Sequence, residues 1–126
     1  MLEATVARLI GLAEQERWDE IDRDISRVSK DRGVVEWAYR HGLYESNDQV
    51  RDLAASILEK ADWGENFNAV RDLLYSTLRD EKHPYAKFRM ACALYAHGER
   101  KPDVVAALEN APADVKSIAQ KYLNQK

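Results

Sequence analysis

The side chains able to do chemistry in these 126 residues are few and scattered. The single cysteine, Cys92, lies among apolar residues and reads as a buried, inert thiol. One cysteine allows neither an internal disulfide nor a cysteine-cluster metal site. The three histidines fall in Tyr39-Arg40-His41-Gly42, in His83-Pro84 and in Tyr95-Ala96-His97-Gly98, without metal-ligand spacing. His-Gly twice at a helix end is a stop signal: the imidazole meets the negative end of the helix dipole and glycine takes a left-handed turn. The chain contains no Gly-rich phosphate loop, serine nucleophile elbow or Cys-His motif, and no spacing selects a pair among the carboxylates. No catalytic residue, metal ligand or cofactor is expected.

What remains is binding. Core filling and helix-end packing account for most of Trp18, Trp37, Trp63, Tyr44, Tyr75 and Tyr85, with Trp63, in the Trp63-Gly64 turn, expected to fold back over the end of the central helix. Tyr44, Trp63 and Tyr85 also fall in loops or at helix starts, where an exposed ring would anchor a partner. Asp52, Ser56, Arg89, Ala93, Lys116 and Gln120 lie off the apolar stripes of their helices and are expected on one shared polar face. Between residues 79 and 101, Arg79, Lys82, Lys87, Arg89, Arg100 and Lys101 outnumber Asp80, Glu81 and Glu99, a local excess suited to phosphate groups. Residues 1–63 carry 9 basic and 14 acidic side chains, residues 64–126 carry 10 and 8, and the whole chain has a net charge of -3. That asymmetry can orient an encounter, but it is far from the basic excess of a dedicated duplex binder.

The elements that must position these residues are helices. Asp48 to Lys60 carries Val50, Leu53, Ala54, Ile57 and Leu58, continued by Ala61, in the i, i+3, i+4, i+7 pattern of an amphipathic helix. Its cap is Ser46, in a capping box with Gln49, or alternatively Asn47 or Asp48. Comparable stripes predict helices over about 2–15, 18–30, a ten-residue stretch ending at Gly42, 66–79 with Asn66 as cap, from Pro84 to a stop at Gly98, 102–110 and 113–124. Pro84, Pro102 and Pro112 suit the starts of the last three, where a missing N–H costs nothing. Eight helices in four antiparallel pairs result, within one domain spanning 1–126. The 45% hydrophobic and 33% charged composition, with 5 Gly and 3 Pro, fits an all-α protein. No apolar run reaches membrane-spanning length, so a soluble cytoplasmic protein is expected.

Laid over one another, the even-numbered helices align Leu53-Ala54 and Ile57-Leu58 with Met90-Ala91 and Leu94-Tyr95, then with Ile118-Ala119 and Tyr122-Leu123, at offsets of 37 and 28 residues. Such offsets match one helix-turn-helix unit of a solenoid. Val50-Arg51-Asp52-Leu53 also recurs as Val70-Arg71-Asp72-Leu73, 20 residues on, which reads as the shared packing demand of consecutive helices facing one core, or chance, the alternative being an old helix duplication.

Asp48-Gln49-Val50-Arg51, followed by Leu53-Ala54 and Ile57-Leu58, resembles the second helix of a HEAT repeat: Asp, then Val-Arg, then Ala, then Leu. Lys87-Phe88-Arg89 and Asp114-Val115-Lys116 match it in part, and residues 1–30 lack it, so the resemblance covers about residues 33–124. It implies a short right-handed α-α superhelix, with Asp48 and Arg51 tying adjacent repeats together and the polar face of the even helices toward the concave side. It also implies a non-enzymatic scaffold or adaptor that binds a protein partner, the alternatives being a nucleic-acid binder and an accessory subunit of a lyase-type enzyme.

Overall fold

The computed structural model describes residues 2–124 and, among them, eight α-helices and no strand: α1 (Leu2–Glu14), α2 (Trp18–Val28), α3 (Arg32–Arg40), α4 (Asp48–Lys60), α5 (Phe67–Asp80), α6 (Pro84–Ala96), α7 (Pro102–Glu109) and α8 (Lys116–Leu123). Side-chain caps set two of the starts. Asp31 caps α3, its carboxylate accepting from the N–H groups of Gly33 and Val34 at 2.9 and 3.4 Å. Asn47, rather than Ser46 or Asp48, caps α4 through Gln49 and Val50 at 2.8 and 3.4 Å. Asn66 makes no side-chain cap, because a 3-10 turn over Gly64–Asn66 leads into α5. A second such turn, Ala113–Val115, delays α8 beyond Pro112.

Successive helices pair, α1 with α2, α3 with α4, α5 with α6 and α7 with α8. The even-numbered ones also touch in order, α2 on α4, α4 on α6 and α6 on α8. The broadest contact is α4 on α6, and α4 also receives α1. Buried Val50, Leu53, Ala54, Ile57 and Leu58 give α4 the face its sequence predicts. Helix α6 is different: Ala86, Phe88, Met90, Ala91, Cys92, Ala93, Leu94 and Tyr95 are all buried, because α4, α5, α7 and α8 surround it. A helix covered on nearly every side has no wide wet face, so the expectation that Ala93 lies on a polar surface is corrected: it is fully buried.

The two His-Gly stops work differently from each other and from the expectation. Gly98 does take the left-handed turn, at φ +91°. Gly42 does not; its missing side chain makes room instead, since a Cβ there would lie 2.6 Å from the Ala54 Cβ and 3.0 Å from the Trp37 ring. His97 does not serve its own helix end: its Nε2 lies 3.1 Å from the Leu58 carbonyl in the last turn of α4, and its ring stacks on Trp63 at 3.7 Å. Trp63 is thereby 3% exposed, with its indole N–H donated to the same Leu58 carbonyl at 2.9 Å. Trp63 therefore folds back over the end of α4 as its turn position predicts, and the alternative reading of it as an exposed partner anchor is corrected.

Two glycine substitutions are expected to have opposite signs. Gly42→Ala should destabilise by about 1–3 kcal/mol through overpacking against Ala54 and Trp37. Gly11→Ala, inside α1 with open space around it, should stabilise by about 0.5–1 kcal/mol. Urea denaturation of the two variants checks both; equal midpoints would contradict the close approach at Gly42.

Candidate functional site

Because α4 and α6 pack through their apolar faces, the polar residues at the margin of each face are brought together across the seam. Asp52 on α4 meets Arg89 on α6, with Nε to Oδ1 at 3.4 Å. Ser56, one turn on, donates to the Asp52 backbone carbonyl at 2.9 Å and faces its carboxylate at 3.4 Å. The Arg89 guanidinium also lies 3.7 Å from Glu59, whose carboxylate is 5% exposed. The Tyr122 hydroxyl of α8 donates to Glu59. One polar line therefore crosses three helices, Ser56–Asp52–Arg89–Glu59–Tyr122. The sequence placed Asp52, Ser56 and Arg89 on a common face, and they are in contact.

Burial changes the proton affinities along this line. Desolvation pushes Asp52 up to about 6, against the opposing pull of Arg89 and Ser56. Burial would lower Arg89, but the charges of Asp52 and Glu59 outweigh it and its pKa is raised. Cys92 is pushed well above the ordinary thiol range by burial and by Glu59, so it is held as a neutral thiol. Tyr122 is raised by burial and by the bond to Glu59.

Where this line reaches the surface, at the N-terminal ends of α4 and α6, it borders a groove of about 460 Å³ lined by Glu16, Trp18, Asp48, Gln49, Asp52, His83, Tyr85, Arg89, Asp114 and Val115. His83 Nε2 lies 3.2 Å from Asp48. The Tyr85 hydroxyl donates to both oxygens of Asp114, at 2.6 and 2.8 Å, and raises its own pKa by doing so. Glu16 stands at the rim in a left-handed backbone conformation, φ 58°, which is costly for a side chain of its kind. Its one arginine, Arg89, is offset by Asp52, and Glu16, Asp48 and Asp114 leave the groove acidic.

The other residues singled out by sequence lie elsewhere. Lys116 is exposed and donates to the Glu109 carbonyl at 2.7 Å, closing the end of α7. Gln120 is exposed and pairs with Asn124 at 3.3 Å. Tyr44 is 54% exposed, as its loop position suggests, but it borders a different depression, beside Arg51. Arg51 and Asp48 both reach from α4 to the start of α6: Arg51 clasps Glu81 with two bonds, 2.6 and 2.9 Å, and Asp48 takes His83. Sequence reasoning passed over Glu16, His83 and Asp114 as groove residues. They come from three separate corners, and only the stacking order brings them together. Among the described residues, no three His, Cys, Asp or Glu side chains are grouped to hold a metal ion, and no helix is long and apolar enough to cross a membrane.

Comparison of the chain with protein-family models, with curated proteins and with solved structures finds no match. The functional reading therefore rests on the groove and on the sequence pattern.

Asp52 carries a pH signature. Its folded pKa lies above its unfolded value of 3.8, so its stabilising contribution is fully present below about pH 4 and is lost as the pH rises through 6. Asp52→Asn should match the wild type near pH 4 and exceed it by about 1–3 kcal/mol at pH 7, measured by denaturant unfolding across that range. A stability difference that stays constant with pH would contradict the burial of this carboxyl.

Proposed function

We propose that the protein is a non-enzymatic interaction module of HEAT-like type, and that its acidic groove receives a basic segment of a protein partner. The observation that carries this reading is the gathering of Glu16, Asp48 and Asp114 in one groove where Arg89 and Asp52 offset each other. Trp18 and Tyr85 add aromatic surface beside that charge, the combination that takes Lys and Arg side chains through both charge and ring faces. The orderly contacts of α2, α4, α6 and α8 support a solenoid, whose successive hairpins form a continuous binding face. A cytoplasmic location fits a chain whose only thiol is buried and unpaired.

An accessory role beside a lyase-type enzyme would need a group poised to move a proton. Asp52 titrates in a useful range, but it is already engaged by Arg89 and Ser56, and the nearby thiol is neutral. A nucleic-acid reading has one observation of its own: Arg79, Lys82 and Lys87 share a depression of about 670 Å³. The other cations of that stretch are turned to structural use. Arg89 pairs with Asp52, Arg100 lies 3.5 Å over the Tyr95 ring, and Lys101 lies 4.9 Å over Tyr75.

A synthetic peptide alternating Lys or Arg with Leu should bind in a salt-dependent manner. Asp48→Asn combined with Glu16→Gln should weaken it roughly three- to tenfold, read by fluorescence anisotropy. Indifference to those substitutions would contradict the groove assignment. Retention on DNA that is abolished by Lys82→Gln with Lys87→Gln would favour the nucleic-acid reading instead.

A further inference from the structure

At the opposite end of α4 from the acidic groove, a cavity of about 410 Å³ opens between the end of α2, α3, the α4–α5 connection and α5. Its size is within the range of small-molecule sites. Ser29, which borders it, is 3% exposed, and its hydroxyl oxygen has no hydrogen-bond partner among the described residues. Buried hydroxyls are nearly always paired, so an orphan at a cavity wall marks a place where a ligand atom is accepted. Beside it in sequence, Lys30 and Arg32 also line the cavity, and neither enters an ion pair among the described residues.

The local charge balance points the same way. Of the two carboxylates on the wall, Glu36 is drawn to Arg40 at 3.4 Å and Asp62 accepts from the Gly64 N–H at 2.9 Å. Lys60 lies 3.7 Å from Glu59 and lines the same cavity. Helices α2 and α4 end here while α3 and α5 begin here, so their dipoles oppose one another and the unpaired Lys30 and Arg32 set the sign. Half-buried Val35 supplies an accessible apolar wall, backed by the covered Trp63 and Val70, and Asn66, which caps no helix, has its side-chain amide free of that duty.

We propose that this cavity binds a small organic phosphate monoester. Its flat apolar body lies against Val35, and its phosphate is held by Lys30, Arg32 and the Ser29 hydroxyl. A phosphate monoester carries close to two negative charges at neutral pH, which matches the two unpaired cations, and its oxygens accept from Ser29. The site shares no residue with the acidic groove and does not depend on what that groove binds.

The test is a titration of the full chain, labelled with nitrogen-15, with phenyl phosphate, following the amides of Lys30, Arg32 and Asn66 and the Trp63 indole N–H. Saturable shifts confined to these signals are expected, with benzoate weaker, inorganic phosphate weaker and benzyl alcohol silent. Arg32 is exposed and Ser29→Ala removes one atom, so Arg32→Gln and Ser29→Ala both leave the fold intact. Each should weaken phenyl phosphate about five- to tenfold. Absence of saturation by about 10 mM would overturn the assignment. So would equal binding of benzyl alcohol, equal binding of inorganic phosphate alone, or unchanged affinity in both variants.

Discussion

The structure depends on one interface, the packing of α4 against α6. Leu53, Ile57 and Leu58 on one helix and Phe88, Met90 and Leu94 on the other are essentially inaccessible to water, and burying each such side chain stabilises by about 1.5–3 kcal/mol. The first two pairs of helices reach the last two chiefly through this contact. A helical hairpin of this size cannot cover its own apolar face, so α3–α4 and α5–α6 each complete the other. Arg51 reinforces the joint from its edge. Its guanidinium holds Glu81 with two bonds and the carbonyls of Glu45 and Ser46 with two more. Glu81 illustrates the balance: burial raises its proton affinity, yet Arg51 and the His83 N–H more than offset that, and its pKa is lowered. Breaking such a pair from one side leaves a buried charge without its partner.

The candidate site follows from the same joint. Asp52 and Arg89 are the residues at which two apolar faces meet their polar margins, so the packing that desolvates Leu53 and Phe88 also desolvates the carboxylate and guanidinium beside them. Burial alone would make either charge costly, and together they are tolerated. The acidic groove is the outer edge of this arrangement, completed by corners from the α1–α2 turn and from the turn before α8. Its charge was not visible as a cluster in the chain, where Glu16, Asp48 and Asp114 lie far apart.

The legible part of the fold was its periodicity. Stripes such as Val50, Leu53, Ile57, Leu58 encode a helix and its buried side within a few residues of chain, and all eight helices lie where such stripes occur. The stripe of α6 misled because a helix packed on nearly all sides has no single face; Ala93 looked like a surface residue only when one side was assumed wet. Trp63 was legible as closing the helix end but not as a buried ring: the Leu58 carbonyl and the His97 ring, 34 residues away in sequence, rule out its alternative role as an exposed anchor. At Gly42 the stop was legible but its cause was not, because the demand for a missing Cβ is made by Trp37 and Ala54 in space. Of the polar residues, those on helices already in contact, Asp52, Ser56 and Arg89, were legible as a group. Lys116 and Gln120 face the end of α7 and their own helix instead.

Native-state hydrogen exchange on the full chain tests the dependence on this interface most directly. If α4 and α6 stabilise each other as one unit, the amides of residues 53–58 and 90–94 share one opening free energy, equal to that of global unfolding, with the same denaturant dependence. If residues 53–58 instead open at a lower free energy while residues 90–94 remain protected, the two halves fold independently and the central role given to their interface is contradicted.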